Sequence, residues 1–137
     1  MTTHAIDFRI YYEDTDAGGI VYHARYLAFA ERARTEAIRS LGMPAASLLS
    51  DYGLVFVVHD ATLNYRVPLR LDDVVTITTR LLEEGAASCR LEQIFTRGDV
   101  FCARVDVRLA CVRAEDGRPA RFPPLWRDLL RGLAAEV

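Results

Sequence analysis

Residues 11–42 read YYEDTDAGGIVYHARYLAFAERARTEAIRSLG. This stretch divides into an acidic, glycine-containing turn and a long helix. From His23 to Leu41 there is no proline or glycine. Tyr26, Phe29, Ala30, Ala33, Ala37 and Leu41 recur at spacings of three and four and so share one helix face. Arg25, Arg32, Glu36 and Arg39 fall mostly on the other side, where Arg32 and Glu36 are spaced to pair. Gly42 suits a C′ cap, and Pro44 forbids continuation. At ~1.5 Å per residue the predicted helix is roughly 28 Å long. Three alanines on its inner face predict close approach to a sheet.

The turn before the helix carries Glu13, Asp14, Asp16, Gly18 and Gly19. A helix N-terminus holds unpaired backbone N–H groups and the positive end of the dipole. Such an end can bind a carboxylate, or an oxygen that becomes negative during a reaction. Asp16 just ahead of it joins a candidate base or nucleophile to a candidate oxyanion site. On spacing alone the favoured reading is that Asp14, Thr15 and Asp16 simply make the turn and cap the helix.

Outward from this stretch the chain reads as strands. Ile6, Phe8 and Ile10 share one parity, which predicts a first strand over His4 to Tyr12; His4 near its end reads as solvated. A short helical turn is expected from Pro44 to Asp51. A long strand is expected from Leu54 to Val67, with Leu54–Val58 apolar on both faces. That pattern fits a strand covered by the helix on one side and another subunit on the other, or a central strand within one chain. His59 reads as a packed or hydrogen-bonded strand histidine. Further strands are expected over Val74–Leu82, Ala86–Thr96 and Val100–Arg113. In the last, Phe101, Ala103, Val105, Val107, Leu109 and Cys111 share one face, opposite Cys102, Arg104, Asp106 and Arg108. A short C-terminal helix follows from Leu125 to Leu133, with Leu125, Leu129, Leu130 and Leu133 as its apolar stripe. The order is strand, long helix, four strands: an α+β single domain spanning 1–137 and no βαβ alternation.

Composition narrows the function. The 137 residues are 51% hydrophobic and 26% charged, as in an ordinary globular domain. The formal net charge of -2 offers no general attraction to nucleic acid or to an anionic membrane. All 17 basic residues are arginine, which excludes a Schiff-base or P-loop lysine. Cys89, Cys102 and Cys111 form no C-x-x-C pair and read as small core residues in a reducing compartment; no metal site or cofactor is expected. MTTHAIDFRI lacks the basic and apolar regions of a signal peptide, and no apolar run approaches the ~20 residues of a membrane span. A cytoplasmic location is the expectation.

Asp16-Ala17-Gly18-Gly19-Ile20-Val21-Tyr22-His23, followed by Tyr26 and Glu31-Arg32-Ala33-Arg34, resembles the signature of the 4-hydroxybenzoyl-CoA thioesterase-like branch of the hot-dog fold. More narrowly, the segment is similar to the Tol–Pal-associated acyl-CoA thioesterases of bacteria. The resemblance extends through Phe56-Val57-Val58 and Leu71-Asp72-Asp73. It implies a hot-dog fold, an antiparallel β-sheet wrapped around one long central helix. It also implies an acyl-CoA thioesterase that works as a homodimer or homotetramer with its sites between subunits. By resemblance Asp16 is the catalytic carboxylate, acting as nucleophile or as base for water, and the backbone amide of His23 polarises the thioester carbonyl.

The chemistry is plausible on these residues. A thiolate whose conjugate acid has a pKa near ~8.5 leaves easily, so a carboxylate and an oxyanion donor make a minimal site. The donors are expected among the N–H groups around Tyr22 and His23. The His23 ring either orients water or merely hydrogen-bonds at the helix start; some family members have tyrosine there. Glu31, two helical turns on, is either a supporting catalytic group or a surface ion-pair partner of Arg34 or Arg32. Gly19, Val21 and Tyr22 are expected to meet substrate. Arg66, Arg90 and Arg104 are candidates for coenzyme A phosphates. Acyl carrier protein is an alternative carrier of the acyl group. A non-catalytic acyl-CoA or acyl-carrier-protein binding module and a hot-dog dehydratase or hydratase are the competing readings.

Overall fold

A computed structural model describes residues 3–134. Strand β1 (His4–Arg9) leads through a 3₁₀ turn at Tyr12–Asp14 into helix α1 (Arg25–Ser40) and the short helix α2 (Ala46–Tyr52). Strands β2 (Leu54–Tyr65), β3 (Val74–Glu84), β4 (Ser88–Arg97) and β5 (Val100–Arg113) follow. Helix α3 (Pro124–Leu130) and a 3₁₀ turn at Arg131–Leu133 come last. The strands form one five-stranded antiparallel sheet in the order β1-β3-β4-β5-β2.

The helix packs where its small residues allow. Ala30, Ala33 and Ala37 have no exposed surface, and Tyr26, Phe29 and Ile38 are buried beside them. Their short side chains let the helix backbone approach the sheet closely. The Gln93 side chain then reaches from β4 to donate to the Ala30 carbonyl at 2.8 Å and to Thr79 Oγ1 at 3.1 Å. One core cluster joins the first half of α1 to β1, β3 and β5; a second joins Ala37, Ile38 and Leu48 to Phe122, Trp126 and Leu130.

Several details differ from the sequence expectation. Glu36 pairs with Arg39 and not with Arg32. An acid placed N-terminal to the base is the better order on a helix. Cys102 is buried while Phe101 is 43% exposed, the reverse of the expected strand parity. The register explains this: Phe95 lies opposite Ala103 and Thr96 opposite Phe101, so Cys102 is an extra residue in β5. Such a bulge flips every side chain beyond it to the other face. In α3 the inward residue is Trp126, fully buried, while Leu125 points outward. The His4 Nδ1 atom is enclosed and has no hydrogen-bond partner among the described residues, where a solvated ring was expected. His59 is an extra residue at the β2 bulge, and its Nδ1 lies 3.0 Å from Asp60 Oδ2.

Strand β2 lies at the sheet edge and pairs with β5 alone among the described strands. The reading of Leu54–Val58 as a central strand is therefore wrong. Val57 and Val58 are 40% and 51% exposed.

Candidate active site

The acidic turn continues into a small hairpin that sets two aspartates in unlike places. The Asp16 N–H donates to the Ile20 carbonyl at 2.9 Å, and the Tyr22 N–H donates to the Asp14 carbonyl at 2.9 Å. The Asp14 side chain turns inward and is 3% exposed. It accepts from the Tyr11 N–H at 2.8 Å, and from Arg25 Nε and Nη2 at 3.2 and 2.6 Å. An Asp14–Arg25 ion pair thus fastens the base of the hairpin to the first residue of α1.

Asp16 is exposed at the surface of this loop. Its Oδ1 accepts from the Gly18 N–H at 2.8 Å, the geometry of an Asx turn. Glycine suits positions 18 and 19 for different reasons. A Cβ on Gly18 would stand 3.2 Å from Asp16 Oδ1, and Gly19 has φ +82°, which L side chains seldom adopt. The second carboxylate oxygen of Asp16 has no hydrogen-bond partner among the described residues.

A cavity of about 270 Å³ opens beside Asp16. Its walls are Ile20, Val21, His23 and Tyr26 from the hairpin and helix, with Tyr65, Arg66, Val67 and Pro68 from the end of β2 and the loop after it. The His23 N–H donates to no acceptor among the described residues. The Tyr22 N–H, by contrast, is committed to Asp14, so of the two amides named from sequence only that of His23 is open. The helix begins two residues later than expected because His23 and Ala24 form a tight turn, with Arg25 N–H donating to the Tyr22 carbonyl at 2.9 Å. The His23 carbonyl accepts from the Tyr65 hydroxyl at 2.8 Å. The Tyr65 ring meets Tyr26 edge-on at 5.1 Å, and burial pushes the Tyr26 phenol above its ordinary range.

The other expected site residues scatter around this centre. Val21 is buried in the wall. Gly19 lies at the loop tip, and Tyr22 is 46% exposed with its ring 4.5 Å from that of His23; neither lines the cavity. Glu31 lines a separate cavity of about 560 Å³ along β2, with Arg34, Thr35 and Val55–Val58. Burial lowers the pKa of the Arg34 guanidinium, and the Glu31 charge opposes that shift. Of the three arginines named for phosphate, only Arg66 reaches the cavity. Arg90 pairs with Glu83, and Arg104 with Glu92 and Asp106, away from it. Tyr65 and Pro68 carry no sequence signal for this site, since the tertiary fold alone brings them to it.

The model of the Thioesterase-like superfamily matches residues 11–130, which takes in the hairpin, the helix and the whole cavity. The chain belongs to this superfamily. This thioesterase-like chain is 44% identical over 115 residues to the acyl-CoA thioesterase YbgC of Haemophilus influenzae, covering 84% of this chain and 85% of that protein. It is 38% identical over 116 residues to the acyl-CoA thioester hydrolase YbgC of Escherichia coli O6:H1, covering 84% and 86%. The DHNA-CoA thioesterase of Staphylococcus aureus superposes with a TM-score of 0.89 at 20% identity, over 96% of this chain and 91% of that one. At that identity the superposition speaks for the fold, which is the hot-dog fold of thioesterases.

Proposed function

We propose that the protein hydrolyses acyl-CoA thioesters to a carboxylic acid and coenzyme A at the cavity beside Asp16. The observation that carries this reading is the meeting of two groups on one cavity: a carboxylate with an open oxygen and a backbone N–H without a partner. The thioester carbonyl accepts from the His23 N–H, which stabilises the negative oxygen of the tetrahedral intermediate. Asp16 attacks the carbonyl carbon, and the C–S bond breaks to release thiolate and leave a mixed anhydride. Water then cleaves the anhydride and regenerates the carboxylate. In the general-base version Asp16 takes a proton from water, which attacks directly. Both versions give the same products. Arg66 at the rim supplies a positive charge for the phosphates of the carrier.

The family relationship and the open β2 edge support a homo-oligomer, dimer or tetramer, whose second subunit covers that edge. The activity needs no metal or organic cofactor, because both groups of the mechanism belong to the chain. No helix among the described residues is long and apolar enough to cross a membrane. A cytoplasmic location is part of the same proposal and rests on the coenzyme A substrate it assigns.

Thiol release from short-chain, long-chain and aromatic acyl-CoAs, measured for wild type and Asp16→Asn together, tests the proposal. Wild type is expected to turn over at least one substrate class, and the folded variant to lose at least a hundredfold. A folded Asp16→Asn protein with near-normal hydrolysis would remove Asp16 from the mechanism. Tight acyl-CoA binding without turnover by wild type would make the protein a binding module. Turnover of acyl carrier protein thioesters alone would reassign the carrier, and hydration of an enoyl thioester would reassign the reaction.

A further inference from the structure

We infer that Tyr65 is a positioning residue for the oxyanion site, holding the His23 turn in place through its hydroxyl. The inference rests on the proposed roles of Asp16 and His23. Tyr65 is the last residue of β2 and lies opposite Ala103 of β5. The chain just after it is pinned twice, since Arg66 N–H and Val67 N–H both donate to the Cys102 carbonyl, at 2.8 and 3.1 Å. Cys102 is the extra residue of the β5 bulge, so the bulge anchors the strand end that carries Tyr65. From this fixed base the hydroxyl spans to the His23 carbonyl, 42 residues earlier in the chain.

That carbonyl receives no donor from its own helix. In a regular helix the Leu27 N–H would serve it, but Leu27 donates to Ala24 at 3.3 Å instead. Tyr65 supplies the missing bond and ties the turn to the sheet. The next peptide plane toward the N-terminus carries the open His23 N–H. Its carbonyl oxygen, on Tyr22, is held by the Arg25 N–H. Both planes flanking the His23 Cα are thereby fixed before any substrate arrives. Donors that are fixed in advance need no reorganisation when charge develops. Burial raises the pKa of the Tyr65 phenol, which keeps the donor protonated over a wide pH range.

The experiment compares wild type, Asp16→Asn, Tyr65→Phe and a protein carrying 3,5-difluorotyrosine at position 65, using the acyl-CoA of the panel that wild type hydrolyses best. Tyr65→Phe removes one oxygen from a half-exposed ring, and thermal unfolding checks its fold. Its kcat is expected to fall about ten- to a hundredfold with KM changed less than about threefold. The difluorinated phenol still donates when neutral but ionises well below the ~10 of tyrosine. Its kcat should match wild type at low pH and fall as the substituted phenol loses its proton, at a pH where wild type is flat. A Tyr65→Phe kcat within twofold of wild type, or a difluorotyrosine profile identical to wild type, would overturn the inference. A rise in KM alone would also overturn it, because it would make Tyr65 a wall of the cavity and no more. Asp16→Asn keeps the outcomes separate: an active Asp16→Asn enzyme sinks the site itself, whatever Tyr65 does.

Discussion

Asp14 and Asp16 stand two positions apart in one turn, and their surroundings give them opposite work. Asp14 is buried and holds Arg25, whereas Asp16 keeps one oxygen open at a cavity. The two ends of the Asp14–Arg25 pair are also unequal, with side-chain exposures of 5% for Asp14 and 33% for Arg25. Removing Arg25 leaves a buried carboxylate without its counter-charge, which costs about 3–5 kcal/mol. Removing Asp14 frees a guanidinium that already touches water, so the loss is nearer the ~1–3 kcal/mol of a broken charged hydrogen bond. Urea unfolding of Arg25→Ala and Asp14→Ala should rank them in that order; the reverse order would mean the pair is not the latch of the hairpin. The sequence made the choice between the two aspartates only through family resemblance. Composition and spacing left both as turn formers, because burial of Asp14 depends on Arg25 folding back across eleven residues. The open His23 amide was legible as part of a helix start. The occupation of the Tyr22 amide was not, since it depends on a backbone bond inside the hairpin.

At the scale of elements, the period of the apolar residues carried most of the information. The helix face from Tyr26 to Ala37 and the run of β5 from Ala103 to Cys111 agree with the pattern, because each is a long run with one period. The misreadings fall where one residue breaks the period. Cys102 does so in β5, and Trp126 takes the inward place in α3 that the leucine stripe assigned to Leu125. Strand β4 offers a test of how dry the inner face is. Burial pushes the Cys89 thiol up from its ordinary 9.0 to about 12, with Cys111 adding to the effect. Below pH 9 folded and unfolded chains both hold this proton, so the full stability is present. As the pH rises above that value only the unfolded chain releases the proton, and stability is lost progressively up to about 12. Between pH 8 and pH 11 the contribution of this one group is roughly 2–3 kcal/mol. Chemical denaturation at both pH values should show a smaller alkaline loss for Cys89→Ala than for wild type. Equal losses would mean that water reaches Cys89 in the folded protein.

At the scale of the whole molecule, the strand order β1-β3-β4-β5-β2 was not legible in the sequence. Two of its pairings, β1 with β3 and β2 with β5, join segments far apart in the chain, and no local pattern encodes them. Their consequence is that β2 becomes an edge while its first part, Leu54–Val58, is apolar on both faces. A twelve-residue edge with exposed Val57 and Val58 is an invitation to pair with another chain, unless something covers it. Leu49 and Tyr52 of α2 add exposed apolar surface, 48% and 45%, just before the strand begins. A second copy that pairs its own β2 antiparallel would bury both β2 edges by one two-fold operation, with β1 left as the outer strand of each sheet. A stable interface of this kind buries on the order of 800 Å² per partner. The Glu31 cavity runs along the same strand, so the partner would close it and bring Glu31 out of solvent. Val58→Asp places a charge at the centre of this surface without touching Asp16, His23 or Tyr65. Sedimentation equilibrium should find wild type as a dimer or a larger closed assembly and Val58→Asp shifted toward monomer, with thiol release falling in step. A wild-type monomer that turns over fully would show that the exposed edge is tolerated and that one chain makes a complete site.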